Sequence, residues 1–131
     1  MDSYKNNLAA LVPYYDAEGR NCSLIYTLDG ELGQDKRSVR WCLRSLARIY
    51  RLDLEAVRKN STTELGLKQG VPLVFSPSLV LVPLKTRRPV GRNDGSAAYI
   101  NPEGVMHLLE EQDGAYCSAL ILRGGRRLPC L

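Results

Sequence analysis

Between Arg37 and Arg51 the chain places arginine at three- and four-residue steps, Arg37, Arg40, Arg44, Arg48 and Arg51, and fills the gaps with Val39, Cys42, Leu43, Leu46 and Tyr50. At ~100° per residue the five cations fall within roughly a quarter of a helix circumference, and the apolar residues fall opposite them. This predicts a helix with one dry face and one cationic face, capped by Asp35 or Ser38 and running at least to Arg51. Leu54 and Val57 keep the apolar period, so a continuation or a second short helix to Asn60 is expected. Ser61, Thr62, Thr63 and Glu64 have the spacing of a capping box, but Gly66 and Gly70 limit a helix there to about one turn.

Elsewhere the pattern is that of strands. Leu8 to Val12 is a short apolar run stopped by Pro13, and Asp16 to Gly19 carries turn chemistry. Cys22 to Leu28 alternates, with Leu24, Tyr26 and Leu28 on one face and Ser23, Ile25 and Thr27 on the other. Asp29-Gly30 then supplies a hairpin turn, and Glu31 to Gln34 its returning strand. Val71 to Ser76 and Leu79 to Leu84 are two apolar runs separated by Pro77, and Ala97 to Asn101 is another strand after the Asn93-Asp94-Gly95 turn. Asn101-Pro102-Glu103 has the form of a helix start, with Val105, Leu108 and Leu109 at helical spacing. Ala115 to Leu122, Gly124-Gly125 and Arg127 to Leu131 form a last hairpin, in which the sequence stops. A final strand of that length is either very short or has lost a C-terminal piece. The fold expected is α+β, a mostly antiparallel sheet with one amphipathic arginine-rich helix, in a single domain over residues 1–131.

Charge is segregated along this framework. Eighteen Lys and Arg face 14 Asp and Glu, a net charge of only +4, yet thirteen of the cations lie in residues 36–51, 85–92 and 123–127. The second group, Lys85, Arg87, Arg88 and Arg92, shares its stretch with Pro89 and Gly91, which predicts a flexible, extended cationic loop. It is expected on the opposite side of the β-core from the arginine helix. Two guanidinium arrays suit a polyanionic partner, because arginine binds phosphate through a planar fork. The stretch from Arg37 to Arg51 holds no acid, so its charges are uncompensated along the helix, and Glu55 is the first partner in reach. The three cations of the last hairpin, Arg123, Arg126 and Arg127, are of a kind common at turns.

Catalytic chemistry has little support. There is one histidine, His107, and no GxSxG, HExxH or phosphate-binding glycine loop, so an enzyme is not expected. Cys22, Cys42, Cys117 and Cys130 show no CxxC spacing, which argues for buried reduced thiols rather than a zinc site or disulfides. No cofactor and no metal is expected. No apolar run approaches the ~18 residues of a membrane span, and the reading is a cytoplasmic protein without a small-molecule substrate. Phe75 and Trp41 are the only residues of their types, too few for stacking of single-stranded bases, with Tyr14, Tyr15 and Tyr99 the exceptions to watch. Trp41 itself reads as a half-buried core anchor.

The order of motifs resembles the competence transcription factor (ComK) family over most of residues 8–131. An early strand leads to a Cys-Ser pair, as in Leu11-Val12 and Gly19-Arg20-Asn21-Cys22-Ser23. Arg58-Lys59 precedes the proline-containing strand Val71-Pro72-Leu73-Val74, followed by Leu79 to Pro83, the polar Thr86 to Pro89 loop, Tyr99-Ile100-Asn101, and a closing hairpin from Ile121 to Pro129. The family's small-residue stretch before the arginine is replaced by Leu52-Asp53-Leu54, its Cys-Trp pairing by Asp94-Gly95 and Tyr99, and its adaptor-contacting tail has no counterpart. The resemblance implies oligomeric binding at the minor groove of A·T-rich promoter DNA, with bending and gene activation.

Residue chemistry and resemblance together give double-stranded DNA as the expected partner and a homo-oligomer as the expected state. Arg40, Arg44, Arg48, Arg51 and Arg58 would take phosphates, while Lys85, Arg87, Arg88 and Arg92 would approach the minor groove. Two other readings compete with it. One is an interaction module whose basic helix docks an acidic protein. The other is a helix-turn-helix over Ser45 to Lys59 that would read the major groove through Glu55, Arg58 and Lys59.

Overall fold

The structure, a computed structural model, describes residues 1–66 and 70–131. It is a mixed fold with antiparallel pairing throughout. Six strands form one sheet in the order β3-β2-β1-β6-β5-β4: β1 Leu8–Tyr15, β2 Asn21–Thr27, β3 Leu32–Asp35, β4 Leu73–Ser76, β5 Leu79–Lys85 and β6 Ala97–Ile100. A second sheet holds β7 Val105–Leu109, β8 Ser118–Leu122 and β9 Arg127–Cys130 in that order. The helices α1 (Val39–Ile49) and α2 (Leu54–Leu65) lie between β3 and β4 in the chain. Helices cover one face of the six-stranded sheet and the small sheet covers the other, giving three layers.

The central strand β1 shows how the two cores separate. Leu8 and Leu11 belong to the core under the helices, with Ile25, Cys42, Leu43, Leu46 and Leu81. Ala10 and Val12 belong to the core under the small sheet, with Ile100, Leu120, Leu122 and Leu128. Strict alternation would put Leu8 and Leu11 on different faces; a register shift between Leu8 and Ala10 inserts one residue and returns both to the same side. The inserted Ala9 is fully buried, and a Cβ on Gly104 would stand 2.7 Å from its methyl, so the small sheet's entry can pass only as glycine.

Several expectations change. Pro13 does not stop β1, which continues to Tyr15; β6 pairs with β1 only at Ala10 and Leu11, so at Pro13 the strand has one neighbour, the edge-like setting in which a residue without an N–H is tolerated. The second short helix expected to Asn60 is α2, which runs on to Leu65. The arginine helix ends at Ile49, before Arg51, and Ser61 to Leu65 are the interior and end of α2, not a new helix start. Asp53 caps α2 through Ala56 N–H, and Gly66 closes it with φ +66°. After Asn101 the expected helix is only the 3-10 turn Pro102–Gly104, and Val105 to Leu109 instead pair as a strand with β8. The helical spacing of Val105, Leu108 and Leu109 misled because the strand lies at an edge, with Met106, Leu108 and Leu109 exposed, so it has no alternating burial to reveal it. Arg127 to Cys130 pair fully with β8.

Cys22, Cys42 and Cys130 are buried free thiols, whereas Cys117 is exposed. Burial raises the Cys42 and Cys130 thiols above their usual range and keeps them protonated. No group of three metal-ligating side chains occurs among the described residues, and no helix is long and apolar enough to cross a membrane.

Candidate nucleic-acid interface

Helix α1 is built by its ends as well as by its periodicity. Ser38 accepts a hydrogen bond from Trp41 N–H at 3.2 Å, and Val39, Cys42, Leu43, Leu46 and Ala47 are buried against the sheet. At the other end Leu52 N–H bonds to Ala47 carbonyl and Arg51 N–H to Arg48 carbonyl, the two bonds of a Schellman motif. The left-handed residue this motif needs is usually glycine. Here it is Arg51, at φ 58°, the one non-glycine with positive φ among the described residues. An L-residue in that conformation costs about 1–2 kcal/mol.

The five-arginine stripe divides into distinct settings. Arg37 precedes the helix and is already engaged: its Nε lies 3.0 Å from an Asp35 carboxylate oxygen, and its guanidinium stacks 3.5 Å over the Trp41 ring. Burial works to raise the Asp35 pKa, but hydrogen bonds from the Arg37 side chain and backbone, with its charge, outweigh that and hold it below the usual value. Compensation of Arg37 thus comes from upstream, a partner outside the 37–51 window. Trp41 is half-buried and packs on the helix-side core, as expected.

Arg40, Arg44 and Arg48 are exposed and form no salt bridge among the described residues. Spaced four apart, Arg40 and Arg48 are about 12 Å distant along the axis. Arg44 and Arg48 line a cleft of about 330 Å³ whose far wall is the start of α2, with Asp53 and Glu55. Arg40 lines a different groove, shared with Arg58 of α2 and with residues 93–97. Arg51 is exposed beside the helix end.

The loop after β5 is more ordered in its contacts than its Pro and Gly content implied. Lys85 closes β5, exposed, and pairs with Ala97. Arg87 turns inward: Nε donates to Gly95 carbonyl at 2.9 Å, and Nη2 to Asn21 Oδ1 at 2.6 Å and Asp94 carbonyl at 2.8 Å. Its guanidinium sits 4.3 Å from the Tyr15 ring centre, and Tyr15 hydroxyl donates to Asp94 Oδ2 while accepting from Val90 N–H. Arg87 is therefore a pin that ties the loop to β1 and β2, and no longer a cation offered to a partner. Of the loop's three arginines, Arg88 and Arg92 remain exposed. The two cationic segments also do not lie on opposite sides of the core, since Arg40 and the loop's returning limb line one groove.

A stability test separates these roles. Arg87→Ala removes three hydrogen bonds from a charged donor and strands their acceptors, so we expect a loss of about 2–3 kcal/mol in a chemical-denaturation curve. An unchanged midpoint would show that the pin contributes nothing.

Comparison with family models, curated proteins and solved structures returns no match. Two helices separated by Tyr50–Asp53 match the outline of the helix-turn-helix reading, but the described residues contain no third helix, and Arg58 is half-buried in a groove instead of fully exposed on the second helix. At the last hairpin Arg126 donates to Gly30 carbonyl and Arg127 pairs with Glu111, leaving Arg123 as its unengaged cation among the described residues. His107 is exposed on β7 with no partner among the described hydrogen bonds.

Proposed function

We propose that this chain is a transcriptional regulator of the competence type that binds A·T-rich double-stranded DNA as a homo-oligomer. The observation that carries the reading is the outer face of α1: Arg40, Arg44 and Arg48 are exposed without an ion pair among the described residues, on a helix held rigid by packing against the sheet. Phosphates of a duplex neutralise such an array and release its counterions. Arg51 extends the array at a position where glycine would cost less, which favours a use for its side chain beyond the fold. Arg88 and Arg92, both exposed, would approach a minor groove, and specificity would come from groove shape more than from base edges.

A second reading has its own support. The edge strand β7 exposes Met106 and Leu108, the kind of surface that a protein partner or another copy covers. Gel-shift titration against A·T-rich duplex, G·C-rich duplex and heparin decides between them. Preference for the A·T-rich duplex supports the regulator; failure to bind either duplex at low salt sinks it.

A further inference from the structure

Two cavities, of about 260 and 340 Å³, meet beneath the helices, and both are lined by Arg58, Ala97 and Tyr99. Together they form a groove between α1, α2 and β6. Apolar walls come from Val39 and Leu43 on one side and from Val71 and Pro83 on the other. Arg40 enters at one end. Arg58 is half-buried at the junction and has neither a salt bridge nor a side-chain hydrogen bond among the described residues. Among the described residues the one carboxylate in the wall, Asp94, is engaged by Tyr15 hydroxyl at 2.6 Å and Gly91 N–H at 2.9 Å.

We propose that this groove binds a small organic anion, its charged head between Arg58 and Arg40 and its apolar or aromatic body against Tyr99. A half-buried guanidinium with no hydrogen-bond partner among the described residues has its donors free for a compact anion. The apolar walls reward a ligand with a hydrophobic body over a bare ion. A duplex suits the site poorly, because its phosphates lie on a convex surface and Arg58 is recessed. The groove shares Arg40 with the proposed duplex-binding face, but its test uses no DNA.

The experiment is an amide-shift titration of the full chain with phenyl phosphate, inorganic phosphate and benzyl alcohol. Phenyl phosphate should give saturable shifts at Ser96, Ala97 and Tyr99, at least about tenfold tighter than inorganic phosphate at the same residues, while benzyl alcohol shows no saturation. Arg58→Gln should weaken phenyl phosphate by about tenfold or more, and Arg123→Gln, an exposed cation of the last hairpin outside the groove, should change it less than about twofold. Saturable shifts centred on Arg44, Arg48 and Glu55, equal affinity for the two phosphates, or no saturation would each overturn the proposal. Should Arg58→Gln fail to fold, the wild-type titration alone decides by the location of its shifts and the ranking of the three probes.

Discussion

Reversing two charges on α1, Arg44→Glu with Arg48→Glu, is expected to lower affinity for an A·T-rich duplex by about 100-fold or more at low salt, with the thermal midpoint nearly unchanged. Each arginine lost from a phosphate removes a hydrogen bond from a charged donor, worth roughly 1.5 kcal/mol at the low end, and the two together amount to about a factor of 100 before repulsion is added. Both side chains are exposed and neither holds an ion pair among the described residues, so the fold has little to lose. Asp53 and Glu55 across the cleft would oppose the new glutamates, an effect on stability of a few tenths of a kcal/mol at an exposed site. Affinity within about threefold of wild type would remove α1 from the interface.

The largest effect on stability is expected at a contact far from that helix. The turn between β2 and β3 meets the turn between β8 and β9 at Gly30 and Gly124, backbone against backbone. A Cβ on Gly124 would stand 2.7 Å from the Gly30 Cα, and one on Gly30 would stand 3.2 Å from the Gly124 Cα. Both residues also have φ near +85°, at +87° and +85°, so two separate costs fall on the same substitution. Gly124→Ala should then cost about 2–4 kcal/mol, from left-handed strain of ~1–2 and overpacking of ~1–2 at an exposed turn. For a chain of this size that is a fall of roughly 7–15 °C in Tm. Arg126, which donates to Gly30 carbonyl at 2.9 Å, would lose its anchor as the turns part. An alanine variant that melts with the wild type would mean that the two turns do not touch in solution.

Much of the framework is written in local pattern. The β2 alternation, the Asp29-Gly30 and Gly124-Gly125 turns and the apolar stripe of α1 each follow from two or three residues of immediate context, and each strand except β7 lies within about two residues of its expected place at one end or both. What local pattern misses depends on distant partners. Arg87 carries the same charge as Arg88, and only the folded positions of Asn21, Tyr15 and Gly95 decide that one is inside and the other outside. Asp35 lies just outside the window that made the stripe look acid-free, and its bond to Arg37 removes the first member of the array. The end of α1 at Ile49 could have been suspected from Asp53, a strong cap for a following helix, but the left-handed Arg51 carries no sequence signal, since glycine is the expected residue there. The groove at Arg58 joins residues more than 30 positions apart, Arg58 with Ala97 and Tyr99, and has no local signature at all.

Accounting for the engaged arginines also narrows the charge available to a polyanion. Arg40, Arg44, Arg48, Arg51, Lys85, Arg88 and Arg92 are exposed, so about five to seven phosphates can be neutralised per bound chain. The most direct measurement is therefore the dependence of duplex affinity on salt, with the A·T-rich duplex titrated over a series of salt concentrations. A plot of log K against log salt is predicted to fall with a slope of about −4.5 to −6.3. A slope near zero, or no binding at the lowest salt, would contradict the account.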